Sequence, residues 1–121
     1  MWTYSQSTGR LVNAMGETRA HGYSGCGDAK NRPECQDRKC EGPIPQGKWT
    51  IIALFDSKDH GPFCLRLAPQ DPHSTFGRSG FLVHGDSVKF PGEASQGCII
   101  LPRRVREEIW RSEDVELEVI P

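Results

Sequence analysis

Apolar residues in this chain come in short runs that alternate with polar ones or stop at a Gly or Pro, and this pattern restricts the fold more than any other feature. Phe63-Cys64-Leu65-Arg66-Leu67 and Val115-Glu116-Leu117-Glu118-Val119-Ile120 alternate with the period of two expected of half-buried strands. A strand from Trp49 to about Phe55 follows the sharp turn Gly42-Pro43-Ile44-Pro45-Gln46-Gly47. Near the N-terminus, Trp2 to Ser5 and Arg10 to Asn13 flank a turn at Ser7-Thr8-Gly9, the pattern of a hairpin, and a third strand is expected at Thr18 to Tyr23. Helical spacing occurs once: Leu101, Val105 and Ile109 recur every fourth position around Pro102, a residue suited to a helix start. The Arg and Glu positions of that helix read as a solvated face, and Trp2, Trp49 and Trp110 as core anchors. The expected fold is mainly β, with about seven strands and one short helix.

At 121 residues the chain suits one domain with a modest core, with no room for separate cofactor and substrate domains. Its 15 Lys and Arg against 16 Asp and Glu leave a formal charge of -1, so nothing steers it toward nucleic acid. No apolar run approaches the roughly 20 residues of a membrane span. The start Met1-Trp2-Thr3-Tyr4-Ser5 lacks the basic and apolar regions of a secretory signal, so export by another machine is the expectation.

Cys26, Cys35 and Cys40 fall in a stretch from Ser24 to Gln46 that is rich in turn formers and reads as a long surface loop. They form no CxxC pair and no histidine follows at finger-like distance, which disfavours structural zinc; a disulfide of undetermined pairing or free thiols remain. Cys64 reads as a small buried side chain. His21, His60 and His73 lie in turn-like or edge contexts and read as solvated.

The chemistry concentrates between Gly80 and Leu101. His84 ends one apolar run and Cys98 opens the next, with a polar Gly- and Pro-containing loop between them, so the two residues are expected together at the shared end of neighbouring strands. An imidazole beside a thiol can take its proton and release a nucleophilic sulfur for acyl transfer. Gly97, directly before Cys98, permits close backbone approach and amides aimed at a developing oxyanion. Asp86 either binds substrate and polarises the site or stabilises the turn after Gly85, and Ser95 either supports the site or caps its loop. Tyr23 and Arg78 either line a substrate cleft or serve packing.

His84-Gly85-Asp86 followed by Ser95-Gln96-Gly97-Cys98-Ile99 resembles the signature of YkuD-type L,D-transpeptidases, and Pro43-Ile44-Pro45-Gln46-Gly47-Lys48-Trp49 resembles their Pro-x-Gly-aromatic entry strand. Similarity is closer to a small type VI secretion effector family with L,D-transpeptidase and L,D-carboxypeptidase activity. It is carried by Trp2 to Gly9, Gly42 to Pro45, Phe76 to Phe81 and Pro91 to Ser95, and it covers nearly the whole chain. Gln96 stands where the transpeptidase pattern has histidine, and Ile100 where many members have Arg or Asn.

The resemblance implies a single L,D-transpeptidase-like β-sandwich over residues 1–121, with Cys98 as nucleophile and His84 as general base. It further implies that the Gly85 carbonyl orients the imidazole, that amides at Gly97 and Cys98 hold the oxyanion, and that Ser95 supports them. Asp86, Arg78 and Tyr23 are candidate substrate-binding residues, and Arg103 is a second candidate for holding substrate carboxylates. The implied substrate is the diaminopimelate–D-alanine bond of peptidoglycan stem tetrapeptides, cleaved through a thioester without cofactor or metal. A type VI apparatus would deliver the protein to a competitor's periplasm, and an immunity protein would guard the producer. Two rival readings are a cysteine amidase or endopeptidase of the wall, whose usual Cys-before-His order is reversed here, and a metal-binding interaction module using His84, Asp86 and the cysteines.

Overall fold

A computed structural model describes residues 1–121. Nine strands hydrogen-bond into one sheet. In chain order they are β1 (Trp2–Ser5), β2 (Arg10–Val12), β3 (Thr18–His21), β4 (Tyr23–Ser24), β5 (Gly47–Ser57), β6 (Gly61–Pro69), β7 (Leu82–His84), β8 (Ile99–Ile100) and β9 (Glu116–Ile120). Their order across the sheet is β3-β2-β1-β9-β5-β6-β7-β8-β4. The mainly β class with one α-helix after Cys98 follows the sequence pattern.

The two edges of this order, β3 and β4, are consecutive in the chain and separated by Gly22 alone. A one-residue link cannot cross a flat sheet of this width, so the sheet curls until its edges meet. Gly22 donates to the Gly9 carbonyl at 2.8 Å, and a Cβ on it would run into the Ile100 carbonyl of β8, the strand beside edge strand β4. Where the resemblance implies a sandwich, the strands form a single sheet. The single strand expected over Thr18 to Tyr23 is split at this glycine, since its two halves must pair with opposite edges.

Curling places one core inside the sheet: Trp2 and Tyr4 of β1, Leu11 of β2, Trp49 and Ile51 of β5, Leu65 and Leu67 of β6, Val83, Ile99, and Leu117 and Val119 of β9 pack together. The helix α1 (Arg103–Arg111) adds Val105 and Ile109, with Leu101 just before it, so the four-residue stripe buries as the spacing requires. Pro102 takes the extended conformation before the first turn.

Two expectations for this helix are corrected. Trp110 is exposed rather than a core anchor, because a residue next to Ile109 is turned about 100° from the buried stripe. Arg106 is buried rather than solvated, because it shares a face with Ile109 one turn on. Its guanidinium donates to three carbonyls, Leu101 at 3.1 Å, Pro62 at 2.9 Å and Phe63 at 2.8 Å. Cys64 is fully buried in β6 as expected, and all five cysteines are free thiols. The stretch from Ser24 to Gln46 contains two short 3-10 turns, Gly27–Ala29 and Pro33–Cys35, and ends with Ile44 in the core.

Candidate active site

β7 and β8 are both wholly buried and run parallel, with Val83 opposite Ile99 and His84 opposite Ile100. Cys98 precedes Ile100 by two, so strand periodicity puts its side chain on the face that carries His84, one step back along the ladder. The sequence pattern predicts the two residues at a shared strand end. Parallel pairing instead sets them side by side with a two-residue stagger, because the intervening loop crosses back before β8 begins. Both side chains line one cleft of about 780 Å³, together with Lys39, Asp59, His60 and Glu93.

The imidazole of His84 is held by one hydrogen bond. Nδ1 lies 2.8 Å from the Gly85 carbonyl, which can only accept, so Nδ1 carries the proton and Nε2 is the bare acceptor. That Nε2 is buried and has no partner. Burial pushes the His84 pKa below its ordinary value; the Gly85 bond opposes this, and the neighbouring His60 and Arg106 add to it. A neutral ring with a free basic nitrogen is the resting form.

The thiol of Cys98 donates to the Gly80 carbonyl at 3.8 Å. Burial pushes its pKa up to about 11. No hydrogen bond joins it to His84 in this conformation, and the resting pair is a neutral thiol beside a neutral imidazole. Such a pair reacts by proton transfer during attack rather than from a standing thiolate.

The loop before Cys98 is fixed by side chains from distant segments. Ser95 is buried; its hydroxyl donates to the Cys98 carbonyl at 2.6 Å and accepts from Gly97 N at 3.1 Å and Gly25 N at 2.9 Å. Gly97 has φ +135°, and a Cβ there would overlap the Arg78 guanidinium. Gly97 N is engaged by Ser95, whereas the amide of Cys98 takes no part in the loop's hydrogen bonds. Ser24 of β4, which the sequence reading passed over, donates to the Gly97 carbonyl at 3.0 Å and accepts from Ile44 N at 2.8 Å.

Arg78 and Asp86 both border the cleft with their polar atoms turned to the protein. Arg78 is buried and donates to the carbonyls of Pro43 at 2.8 Å, Gly42 at 2.9 Å, Gln36 and Gln96. Asp86 accepts from Tyr23 Oη at 2.6 Å, Ser87 N at 2.8 Å and Gly92 N at 3.1 Å, closing the loop that follows Gly85. Tyr23 in turn accepts from Ala94 N at 2.9 Å and does not line the cleft. Arg103 lies outside the cleft too, paired with Glu107 at 3.0 Å.

Two residues of the site carried no signal in the sequence. The ring of His60, from the turn between β5 and β6, stacks on His84 with centroids 4.4 Å apart and planes 29° apart. Arg106 of α1 lies against Gly85, where any Cβ would meet its guanidinium. No three His, Cys, Asp or Glu side chains gather where they could hold a metal ion.

Comparison with protein-family models places the Tlde1 domain over residues 18–119, which takes in strands β3 to β8, all of β9 but its last residue, and all of the cleft. The chain belongs to the Tlde1-domain family. Tlde1 domains are type VI secretion effectors, and the cleft described above lies wholly inside the matched region. No curated protein and no solved structure matches this Tlde1 domain. No helix of the chain is long and apolar enough to cross a membrane.

Proposed function

We propose that this Tlde1 domain is a cysteine acyl-transfer enzyme that acts as an L,D-carboxypeptidase or L,D-transpeptidase on peptidoglycan stem tetrapeptides. The observation that carries the reading is the buried, unpartnered Nε2 of His84 in the same cleft and on the same strand face as the Cys98 thiol. A buried acceptor without a partner is costly to keep, and sites of catalysis are where such cost is retained.

In this mechanism rotation of the Cys98 side chain turns its sulfur from the Gly80 carbonyl toward His84. As Sγ attacks the carbonyl between the L-centre of diaminopimelate and D-alanine, the thiol proton passes to Nε2. The Gly85 carbonyl steadies the imidazolium through Nδ1–H. The Cys98 amide donates to the oxyanion. The carbon–nitrogen bond then breaks, Nε2–H protonates the departing amine of D-alanine, and a thioester remains on Cys98. Water, deprotonated by His84, releases the tripeptide; a D-amino acid or the amine of another stem, acting in its place, gives exchange or a cross-link. Ser95, Gly97 and Arg78 hold the nucleophile's loop, while Tyr23 and Asp86 hold the loop after the base.

As a type VI effector the enzyme would act in the periplasm of target bacteria, and a cognate immunity protein in the producer would block the cleft. Digestion of purified sacculi followed by mass spectrometry of the muropeptides tests the reading. Wild type should convert tetrapeptides to tripeptides or exchanged tetrapeptides, and Cys98→Ala should not. Equal product from the alanine variant would refute a Cys98 nucleophile.

A further inference from the structure

We propose that His60 is a positioning residue for the base, a second imidazole that caps His84 and fixes the ring orientation in which its Nε2 stays free. This rests on the reading of His84 as general base.

One hydrogen bond at Nδ1 pins one edge of the His84 ring but leaves it free to rock about that bond. The stacked face of His60, 4.4 Å away, removes that freedom. The cap is contributed from outside the buried scaffold: His60 is exposed at the tip of the β5–β6 hairpin, whereas His84 is 2% exposed. The stack thus closes over the imidazole on the solvent side, and Asp59 and Gly61 flank it on the cleft wall.

Stacking also bears on the charge of His84, since a covered ring loses the water that would stabilise its cation. The charged and titratable groups around His84 are His60 and Asp59 from the hairpin, Arg106 from α1, Asp86 from the following loop and Cys98 from the neighbouring strand. Arg106 opposes a cation from below, and the Asp86 carboxylate is already engaged by Tyr23, Ser87 and Gly92. The one member of this set that both covers the ring and is open to solvent is His60. Capping keeps the base neutral, and the orientation it fixes serves proton transfer.

The test follows the His84 ring by NMR titration of histidine-labelled protein in wild type, His60→Ala and His60→Phe, alongside the pH profile of tetrapeptide trimming. In His60→Ala the His84 midpoint should rise by about one pH unit, and kcat should fall about tenfold with KM little changed. His60→Phe keeps a flat cap without a charge, so its kcat should return to within about threefold of wild type. Circular dichroism melting should be nearly unchanged in both, since the hairpin tip is exposed. An unmoved His84 midpoint in His60→Ala, or a His60→Phe variant as slow as His60→Ala, would overturn the proposal. If no variant trims tetrapeptide, the enzymatic reading fails by itself, while the His84 midpoints still decide whether His60 caps the ring.

Discussion

The Arg78 guanidinium fills the space that a side chain at residue 97 would need. This contact links the loop before Cys98 to the carbonyls of Gln36, Gly42 and Pro43, and Gly97 adds a φ of +135° that other residues reach only with strain. Gly97→Ala should therefore destabilise the fold by about 2–4 kcal/mol and displace Cys98. Urea denaturation and muropeptide turnover of the same variant check both effects, and a variant of wild-type stability would show that the loop yields easily.

Tyr23 and Asp86 form a clamp across the mouth of the loop between β7 and β8. Burial alone would raise the Asp86 carboxyl, but hydrogen bonds from Tyr23, Gly92 and Ser87 outweigh it and hold the pKa below its ordinary 3.8; burial and the Asp86 bond push Tyr23 up to about 12. A carboxyl with a depressed folded-state pKa adds stability that is present above its unfolded value and lost as pH falls through the folded one. Melting temperatures of wild type and Asp86→Asn should thus differ near neutrality and converge below about pH 4. Tyr23→Phe should lose about 1 kcal/mol and leave tetrapeptide KM near wild type, because the hydroxyl faces Asp86 and Ala94. A large KM increase would instead assign Tyr23 to substrate contact.

What the sequence made legible and what it hid have physical causes. Strands β6 and β9 and the helix announce themselves by period, since a half-buried element must repeat its apolar residues at its own pitch, and β5 by the Pro/Gly turn that feeds it. The adjacency of β7 and β8 follows from two apolar runs around a polar loop, but their parallel sense does not, because the loop alone does not fix the direction of return. Gly22 is a lone glycine in a strand-like run, and only the topology shows that the sheet edges meet there. His60 and Arg106 were hidden for a common reason. Each reaches the site from a segment distant in the chain, and a charged helix position or a turn histidine has the same composition whether it faces water or a catalytic ring.

Burial lowers the His84 pKa and raises the Cys98 pKa to about 11, so both groups are neutral across the range between. The acid limb of kcat/KM should lie below pH 6.5, the ordinary imidazole value, with no alkaline loss until well above neutrality. Peptide-resolved alkylation by iodoacetamide should label Cys98 more slowly at pH 7 than the exposed Cys40. A His whose folded-state pKa is depressed binds protons more readily when unfolded, so stability should also fall as pH drops below 6.5. In His84→Gln that part of the acid loss should vanish. Rapid Cys98 labelling at pH 7 would mean that a standing thiolate, not a neutral thiol, is the resting form.

Arg106 connects helix α1 to His84, since its guanidinium lies against Gly85, whose carbonyl holds the His84 ring, while donating to Leu101, Pro62 and Phe63. Arg106→Met keeps much of the side-chain volume but leaves three partly buried carbonyls without a donor. A loss of about 3 kcal/mol is the expected result, larger than for an exposed arginine such as Arg104, whose removal should change stability by less than about 0.5 kcal/mol. Arg106→Lys restores the charge but not the fork of donors, so it should recover only part of the loss. Because the arginine charge also holds the His84 pKa down, both variants can be read by a second measurement, the acid limb of turnover. That limb should shift toward higher pH in Arg106→Met and stay nearer wild type in Arg106→Lys. Full stability with an unmoved acid limb in Arg106→Met would show that helix and base are not coupled through this side chain.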